Sequence, residues 1–424
     1  HRARAELREM AKDPDRTLIV LDPKRTQTAD LADIHLPVKV GRDAWILAGM
    51  VAVIIQEPLH DDTWLAEHTT GIDAVVEVFK NVDIEDCAEK SGIDEVIIRS
   101  TARTIAKAKS VAVFEDLGTQ MNRHSTLVSY LQRLTWMLNG NFAKPGAAYT
   151  PNGLGKIGDG REEGKSPVAG GRIIAGIVPA NTIPDEVLAD HPDHYRGMII
   201  ESANPVHSLP DSPKWRQAMR ALECSVVIDI AMTETARQAD YVLPATTQFE
   251  KAEATFFNFE FPENYFHMRA PLFTPPEGVL DEAEIHARIA QALGTLPDDI
   301  IYTLNNALAQ GGRDAFRELV FAKLSENPDI GKVAPVLLYR TLGKTLPKGM
   351  QNAAALWAPC HQHAMTNRKS VEAAGITGDG LMLGDNLFDA IIAGPSAVVI
   401  SQRIWLCGSP AHMALPAWGS PTAS

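Results

Sequence analysis

The sequence has few cysteines and contains no CxxC pair. Its four thiols lie far apart in the chain, at Cys87, Cys224, Cys360 and Cys407. That spacing encodes neither a zinc ribbon nor a run of iron–sulfur ligands. The first residues, His1–Arg4, are not an initiator sequence, and nothing after them resembles a secretory signal peptide. The chain is therefore expected to begin within a longer gene product. Unpaired, mostly buried thiols in a reducing, cytoplasmic compartment are the favoured interpretation.

Basic residues are outnumbered by acidic ones, and long apolar runs are also scarce. The formal net charge is −13, which argues against a nucleic-acid partner, because binding to phosphates needs clustered Lys and Arg. No apolar run approaches the ~20 residues of a membrane span. The stretch Ala44–Ile55 is shorter and predicts a buried helix. No GxGxxG follows a predicted strand, so an ordinary nicotinamide site is not supported.

The sequence does contain a repeated order of short apolar runs, polar loops and helical stretches. Apolar, partly β-branched runs predict buried parallel strands over Thr17–Leu21, Ile34–Val40, Val111–Phe114, Gly197–Glu201 and Ser225–Asp229. Periodic apolar residues predict helices over Ala3–Ala11, Ala44–Ile55, Ser125–Leu138 and Ser212–Leu222. This alternation is typical of the α/β class and predicts parallel-sheet, Rossmann-like domains with helices on both faces.

After about residue 296 the pattern becomes that of a helical C-terminal region. Helices are predicted over Asp299–Ala309, Asp314–Leu324 and Pro335–Leu342. His361 and His363 lack a recognisable metal-ligand spacing. Because alternate residues of a helix face apart, a solvated pair is expected there.

These patterns divide the chain into four parts. Residues 1–110 are predicted to form a partial α/β dinucleotide-binding domain, and residues 111–295 a second α/β cofactor-binding domain. Residues 296–400 form the mostly helical region, and residues 401–424 an irregular tail. Thr150–Gly171, rich in Gly, Pro and charge, predicts a long irregular loop.

Acidic residues follow the first two predicted strands. Asp22 comes directly after the first, and Asp43 follows the second, close to Gly41, which lets a ligand approach the backbone. Ligands of open α/β sheets bind at the carboxyl ends of strands. An ionised carboxylate can accept two hydrogen bonds from the N1–H and 2-amino groups of guanine, which adenine cannot supply. Asp22 and Asp43 are therefore candidates for nucleotide binding.

Arg25 and Thr26 suit phosphate or backbone contacts near Asp22. Spacing alone, however, favours simpler alternatives at these acids. Asp22 and Pro23 are also typical of a turn, and Asp43 of a helix N-cap.

Ordered motifs across roughly the first 295 residues resemble the dimethyl sulfoxide reductase family of molybdopterin oxidoreductases. Leu21–Leu36 resembles its D-P-R-x-T-x-T-A-x-x-A-D-x-H-L segment, and Leu138–Gly146 its L-x-G-N-x-G-K-P-G segment. Gly118–Gln120 is similar to G-x-x-Q, with one residue fewer, and Asn204–Asp211 to N-P-x-x-S-x-P-D. The most specific match is Thr233–Glu250, which resembles T-E-T-A-x-x-A-D-x-V-L-P-x-x-x-x-x-E. With these motifs, the dinucleotide-binding interpretation of the strand-end loops is preferred.

The resemblance implies a cofactor, bis-molybdopterin guanine dinucleotide with molybdenum or tungsten. By motif match, Asp22, Arg25 and Asp43, with the adjoining Thr26 and Gly41, would line one guanosine pocket. The loops around the second would contain Gly118, Gln120, Asn204, Asp229, Thr233 and Glu234. The segment Thr233–Thr235 could equally cap the following helix, with its hydroxyls bound to backbone amides. Asp240 and Glu250 are expected to be structural.

The departures from the family pattern matter as well. The cluster-binding cysteines and the metal-ligating residue of the family are not in this sequence, so no catalytic residue or metal ligand can be named. Lys24 stands in the place of the family's Arg, and Arg42 in the place of a Thr. An iron–sulfur cluster is expected only in the complete protein.

The favoured hypothesis is the cofactor-binding portion of a formate-dehydrogenase- or nitrate-reductase-like catalytic subunit, inactive alone. Its expected partners are a small redox substrate and an electron-transfer subunit. Two alternatives remain open at this point: a noncatalytic relative that acts as a scaffold or binds a partner, and an α/β enzyme using a nicotinamide or thiamine diphosphate.

Overall fold

The computed structural model describes most of the chain. The described residues are 3–148, 154, 164–174, 176–255, 263–394, 398–402 and 413–414. Much of the predicted loop Thr150–Gly171 and most of the predicted tail, 401–424, lie outside them. The described residues form two compact units, one within His1–Thr150 and Trp405–Ser424 and one within Pro151–Ile404. The four-part division at residues 110, 295 and 400 stays a prediction.

The first unit combines a small parallel sheet with many helices. Its helices are α1 Ala3–Met10, α2 Asp43–Gln56, α3 Asp62–His68, α4 Ile72–Phe79, α5 Ile84–Ser91, α6 Glu95–Lys107, α7 Leu117–Gln120 and α8 Ser125–Met137. Its strands are β1 Ile19–Leu21, β2 Ile34–Leu36 and the short β3 Thr69–Thr70, which pairs with Met413–Ala414. β1 and β2 run parallel, with Ile19 opposite Ile34 and Leu21 opposite Leu36. The parallel pairing predicted from the two apolar runs is confirmed.

Helix α2 is the centre of the core of the first unit. Nine of its 14 residues are buried, and α4, α5, α6 and α8 pack around it. A helix that is apolar on every side can be stable only when neighbours cover every side. The buried helix predicted over Ala44–Ile55 is therefore confirmed.

Two predicted strand segments of the first unit are wrong. Residues 111–116 have no regular structure, and within them Phe114 is 86% exposed. A strand needs a neighbour to satisfy its backbone groups, yet the Val111 N–H donates to the Asn141 side chain instead. The second run ends at Leu36 rather than Val40, because Pro37 has no N–H to continue the pairing.

The second unit contains a parallel three-stranded sheet. Its strands are β4 Gly197–Glu201, β5 Cys224–Asp229 and β6 Tyr241–Pro244, paired in that order. One face packs against α9 Ile183–Leu188 and α11 Ser212–Ala221, and α10 Pro205–Ser208 follows β4. On the other face Ile228 packs against Ile285 of α12 Glu282–Ala292. Helices on both faces of a parallel sheet are the arrangement that the sequence predicted.

The rest of the second unit is mostly helical, as predicted. Its further helices are α13 Asp298–Glu326, α14 Ile330–Arg340, α15 Trp357–Thr366, α16 Arg368–Ala373 and α17 Met382–Ala393. The helix α13 covers both predicted helices and kinks at Gly312, where φ is +65°. An antiparallel sheet of β7 Glu253–Thr255, β8 Glu263–Arg269 and β9 Val398–Gln402 was not predicted. Within the described part of the chain, no helix has the length and apolarity to cross a membrane.

A buried charged cluster joins α13, α15 and α17. Asp385, 3% exposed, accepts hydrogen bonds from Trp357 Nε1 at 2.8 Å and from His361 Nε2 at 3.4 Å. Its other oxygen forms an ion pair with Arg317. Burial by itself would raise the pKa of the Asp385 carboxyl, but the hydrogen bonds from His361, Trp357 and Arg317 hold that pKa below its ordinary value.

The expectation of a solvated histidine pair is wrong. His361 and His363 lie in α15, and each is only 2% exposed. His361 is held by Asp385, and His363 Nδ1 lies 3.4 Å from Asn367 Nδ2. The spacing of the two histidines could not reveal this, because the carboxylate that holds His361 comes from another helix.

Candidate functional site

Asp22 lies directly after β1, at the carboxyl end of the strand pair. Its N–H extends the pairing to the Leu36 carbonyl at 3.3 Å. Its Oδ1 accepts the Lys24 N–H at 2.8 Å, and its carbonyl accepts from His35 Nε2 at 2.9 Å. The turn that the sequence also allowed is therefore present. It uses Oδ1, whereas Oδ2 takes no part in it.

Arg25 and Thr26 lie in the same loop. Arg25 Nε donates to Asp30 at 2.7 Å, with the two side chains 65% and 58% exposed. Thr26 Oγ1 accepts the Ala29 N–H at 3.3 Å. An ion pair this exposed contributes little to stability, so a phosphate group could compete with Asp30 for the Arg25 guanidinium.

The loop after β2 leads through Gly41 into α2. Gly41 has φ of +73°, and a Cβ there would meet nothing within 4 Å. The backbone conformation, rather than crowding, thus requires glycine, and the chain is accessible to a ligand. Arg42 occupies the N-cap position and Asp43 is the first helical residue. Asp43 is therefore not the N-cap, the alternative that the sequence had left open.

Asp43 is held by a residue from a distant part of the chain. Asn122 Nδ2 donates to Asp43 Oδ2 at 2.8 Å across 79 positions. Asn122 lies two residues beyond α7, which contains Gly118 and Gln120. A Cβ at Gly118 would also meet nothing within 4 Å, and Gln120 is exposed. The motif-matched residues of α7 are thereby connected to the loop that carries Asp43.

Within the first unit, the structure brings the two predicted loops to one edge. Because β1 and β2 are parallel neighbours, the loops with Asp22 and with Asp43 both leave the carboxyl end of the pair, where ligands of such sheets bind. Asn122 was missed by the sequence reasoning. Its only signal was its position two residues after Gln120 of a matched motif.

In the second unit, Asn204 organises the loop after β4. Its Oδ1 accepts from both the N–H and the Oγ1 of Thr235, at 3.1 and 2.8 Å, and its Nδ2 donates to Glu234 Oε2 at 2.6 Å. The Asn204 bond, helped by the nearby charges of His207 and Arg237, holds the pKa of Glu234 below its ordinary value. Asn204 therefore joins the loops after β4 and β5, and Glu234 remains an exposed carboxylate at this edge.

Asp229 and Thr233 support the loop after β5. Asp229 Oδ1 accepts the N–H groups of Ile230 and Ala231, at 2.7 and 3.3 Å. Thr233 Oγ1 accepts the Ala236 N–H at 3.2 Å. The Thr233 hydroxyl is thus engaged with a backbone amide, although the N-cap position of the short 3-10 helix Ala236–Gln238 is Thr235.

Asp240 and Glu250 make the structural contacts expected of them. Asp240 accepts from the N–H and the hydroxyl of Ser225, both at 2.7 Å, which lowers the pKa of its carboxyl. Glu250 Oε2 accepts the Thr247 N–H at 2.9 Å. Both carboxylates therefore fix backbone segments beside β6.

The residues at the edge of the first unit suit an anionic ligand with a polar ring edge. They offer accessible glycine backbone at 41 and 118, an amide-oriented carboxylate at Asp43, and an exposed guanidinium at Arg25. The start of a 14-residue helix behind Gly41 adds N–H groups that favour negative charge. Among the described residues, no group of three or more His, Cys, Asp or Glu could hold a metal ion.

Comparison with known proteins gives consistent results. The family model described as "Molybdopterin oxidoreductase" matches residues 2–276. The F420-dependent formate dehydrogenase subunit alpha of Methanocaldococcus jannaschii is 30% identical over 67% of this chain and 44% of its own length. The assimilatory nitrate reductase catalytic subunit of Bacillus subtilis is 27% identical over 74% of this chain and 48% of its own. The matched part thus spans less than half the length of these relatives.

A solved structure resembles the fold. Acetylene hydratase from Pelobacter acetylenicus matches 66% of this chain and 43% of its own, with a TM-score of 0.57 and 21% sequence identity. At that identity the likeness concerns the fold alone. It agrees with the α/β units and parallel sheets described above.

Proposed function

Because this chain belongs to the molybdopterin oxidoreductase family, we propose that it is the cofactor-binding portion of a molybdenum or tungsten oxidoreductase catalytic subunit. The bound group would be a bis-molybdopterin guanine dinucleotide. Residues of the first unit would bind one guanosine, and the loops after β4 and β5 would contribute to the second site. When bound, the metal–pterin group supplies the redox step, and the protein supplies binding and orientation.

One observation carries the guanine assignment. Asp43 begins α2 at the sheet edge where ligands of this fold class bind, and its carboxylate is oriented by Asn122. A fixed carboxylate can accept hydrogen bonds from the N1–H and 2-amino groups of guanine. Gly41 gives the ligand access to the neighbouring backbone, and the exposed Arg25 would meet a phosphate.

In the second unit, some residues would contact the ligand and others would position those residues. The amide of Asn204 is committed to Thr235 and Glu234, so we assign it a positioning role. Asp229 and Thr233 are similarly engaged with backbone N–H groups. Glu234 is the carboxylate of this group that stays exposed for a ligand hydroxyl or ring N–H.

The wider setting is part of the same proposal. Relatives of this chain are named as alpha subunits of formate dehydrogenases, which supports an electron-transfer partner and a small redox substrate of the formate or nitrate kind. Cys87, Cys224 and Cys360 are unpaired, which is consistent with a reducing, cytoplasmic compartment. We also propose that the chain is inactive alone. Formate- or nitrate-dependent dye turnover at enzyme-like rates would contradict that part.

Cofactor extraction is the direct test. The chain purified from a molybdenum-replete host is expected to release pterin and guanine nucleotide in near-stoichiometric amounts, measured by pterin fluorescence after oxidation and by chromatography. Finding pterin without guanine nucleotide would contradict the dinucleotide form.

The guanine assignment predicts a specific loss in one variant. Asp43→Ala is expected to weaken GDP binding by about 10–100-fold, since hydrogen bonds to a charged acceptor contribute roughly 1.5–3 kcal/mol. Isothermal titration of the full chain with GDP and ADP measures this. Asp73→Ala is the matched control, because Asp73 also lies in the first turn of a helix of the first unit and should leave GDP affinity unchanged. Equal affinity of the parent chain for GDP and ADP would refute the assignment.

A further inference from the structure

Asn122 has only one orientation compatible with its neighbours. Its Oδ1 accepts the N–H of His124 at 3.0 Å, and its Nδ2 donates to Asp43 Oδ2 at 2.8 Å. Reversing the amide would place its NH₂ against the His124 N–H and its oxygen against the carboxylate, and both contacts would be repulsive. The amide direction is therefore determined by the chain itself, without any ligand.

This hydrogen bond fixes a carboxylate that would otherwise rotate. A short acidic side chain at a helix start has alternative hydrogen-bond donors nearby, because the first N–H groups of a helix lack helical partners. The bond from Asn122 holds Asp43 Oδ2 toward α7 and so sets the plane of the carboxylate. An ionised carboxylate has roughly four acceptor positions, so one bond from Asn122 leaves both oxygens able to accept further N–H groups.

The chemical type of the partner matters as much as its position. A Lys or Arg in place of Asn122 would form an ion pair with Asp43 and compete with a ligand for the negative charge. A neutral amide orients the carboxylate while leaving its charge available to N–H donors of a ligand, and charge-assisted bonds of that kind are stronger than neutral ones.

We propose that Asn122 is the residue that positions Asp43 for recognition of the guanine edge and thereby sets base selectivity at this site. The inference rests on the proposed function, since it assigns a role within the same site. Hypoxanthine has the N1–H of guanine but not its 2-amino group. A correctly oriented carboxylate therefore favours GDP over IDP, and a carboxylate free to rotate loses part of that preference.

The test compares GDP and IDP affinities by isothermal titration of the full chain. Asn122→Ala is expected to weaken GDP binding by about 3–10-fold, the range for loss of one ordinary hydrogen bond. IDP binding should change less, so that the GDP-to-IDP affinity ratio falls. Asn122→Asp, which sets a second carboxylate against Asp43, should lower GDP affinity further. Asn81→Ala is the control, because Asn81 is an exposed asparagine of the same unit, two residues after α4, whose side-chain amide donates to the Glu77 carbonyl of that helix.

The outcomes separate this inference from the function on which it rests. If the parent prefers GDP and Asp43→Ala abolishes the preference, but Asn122→Ala keeps the parental GDP-to-IDP ratio, the role of Asn122 is overturned and the guanine site stands. An equal loss of GDP and IDP affinity in Asn122→Ala would also overturn it, because that indicates a general structural effect. A parent that does not distinguish GDP from ADP overturns both. Should Asn122→Ala unfold, judged by circular dichroism, Asn122→Ser provides the same comparison.

Discussion

Replacement of Asp385 by alanine is expected to lower the free energy of unfolding of the second unit by about 3–5 kcal/mol. Asp385 is 3% exposed and faces Arg317, which is 8% exposed. Removing the carboxylate leaves the guanidinium buried with Asp314, a largely exposed partner, as its remaining ion pair. It also removes the acceptor of Trp357 Nε1 and His361 Nε2. Urea unfolding followed by tryptophan fluorescence measures the change, since Trp357 lies inside the cluster.

A matched control lies one turn further along the same helix. Asp389 pairs with Arg313 but is 54% exposed, so Asp389→Ala should cost no more than about 1 kcal/mol. Adding Arg317→Met to Asp385→Ala should recover part of the loss, because an apolar replacement of a whole buried pair costs less than breaking it. A loss under about 1 kcal/mol for Asp385→Ala would show that the charged cluster does not hold α13, α15 and α17 together.

Because the parent has the Asp385 carboxylate and the variant does not, the stability difference between them should depend on pH with a definite sign. Hydrogen bonds lower the pKa of Asp385 in the folded chain, so its ionised form stabilises the fold. That contribution is fully present above the ordinary Asp pKa of about 4 and is lost as the pH falls through the lowered folded value. The difference in unfolding free energy between parent and Asp385→Ala should therefore narrow on acidification from about pH 6 to about pH 3. A difference that stays constant over that interval would contradict this account.

A second large effect is expected at Gly384, where α17 crosses α15. A Cβ at this position would clash with His361 Nδ1 and would lie 2.8 Å from the His361 Cα. Because one of those atoms is backbone, the clash cannot be relieved by a side-chain rotation alone, and the two helices must move apart. Overpacking of this kind costs about 1–3 kcal/mol and occasionally more. Thermal unfolding of Gly384→Ala should show a correspondingly lower midpoint.

Gly331 in α14 provides the control for that substitution. A Cβ there would be 3.8 Å from Leu324 Cδ2, an ordinary contact. Gly331→Ala should therefore be neutral or stabilising by up to about 1 kcal/mol, through reduced backbone entropy of the unfolded chain. If both glycine variants melt at the parental temperature, the close approach of α15 and α17 is not a constraint on this fold.

The sequence was informative wherever neighbouring residues decide the structure. The apolar runs Thr17–Leu21 and Ile34–Val40 predicted the parallel strands that form at Ile19–Leu21 and Ile34–Leu36. The stretch Ala44–Ile55 was apolar enough to predict a buried helix. Val111–Phe114 has the same local character but forms no strand. A strand is stabilised by hydrogen bonds to a partner, and whether one is present cannot be read from the run itself.

The local sequence likewise identified only some of the residues of the candidate site. Asp22, Gly41 and Asp43 could be chosen because each follows a predicted strand. Asn122, 79 positions from Asp43, could not be chosen, because nothing local links it to that carboxylate. The motif match at Asn204 identified a loop that matters, yet only the hydrogen bonds to Thr235 and Glu234 show that its amide is already engaged.

The sequence by itself determined the class of fold, the parallel strands β1, β2, β4 and β5, and the strand ends where a ligand would be sought. The spacing of apolar residues and the residues that favour turns act over a few positions, so both can be recognised in the local sequence. The tertiary structure alone decided which polar groups meet: Asn122 with Asp43, and His361 and Arg317 with Asp385. Hydrogen bonds and ion pairs act over about 3–4 Å in space, so residues far apart in sequence acquire a shared role only after packing has brought their helices together.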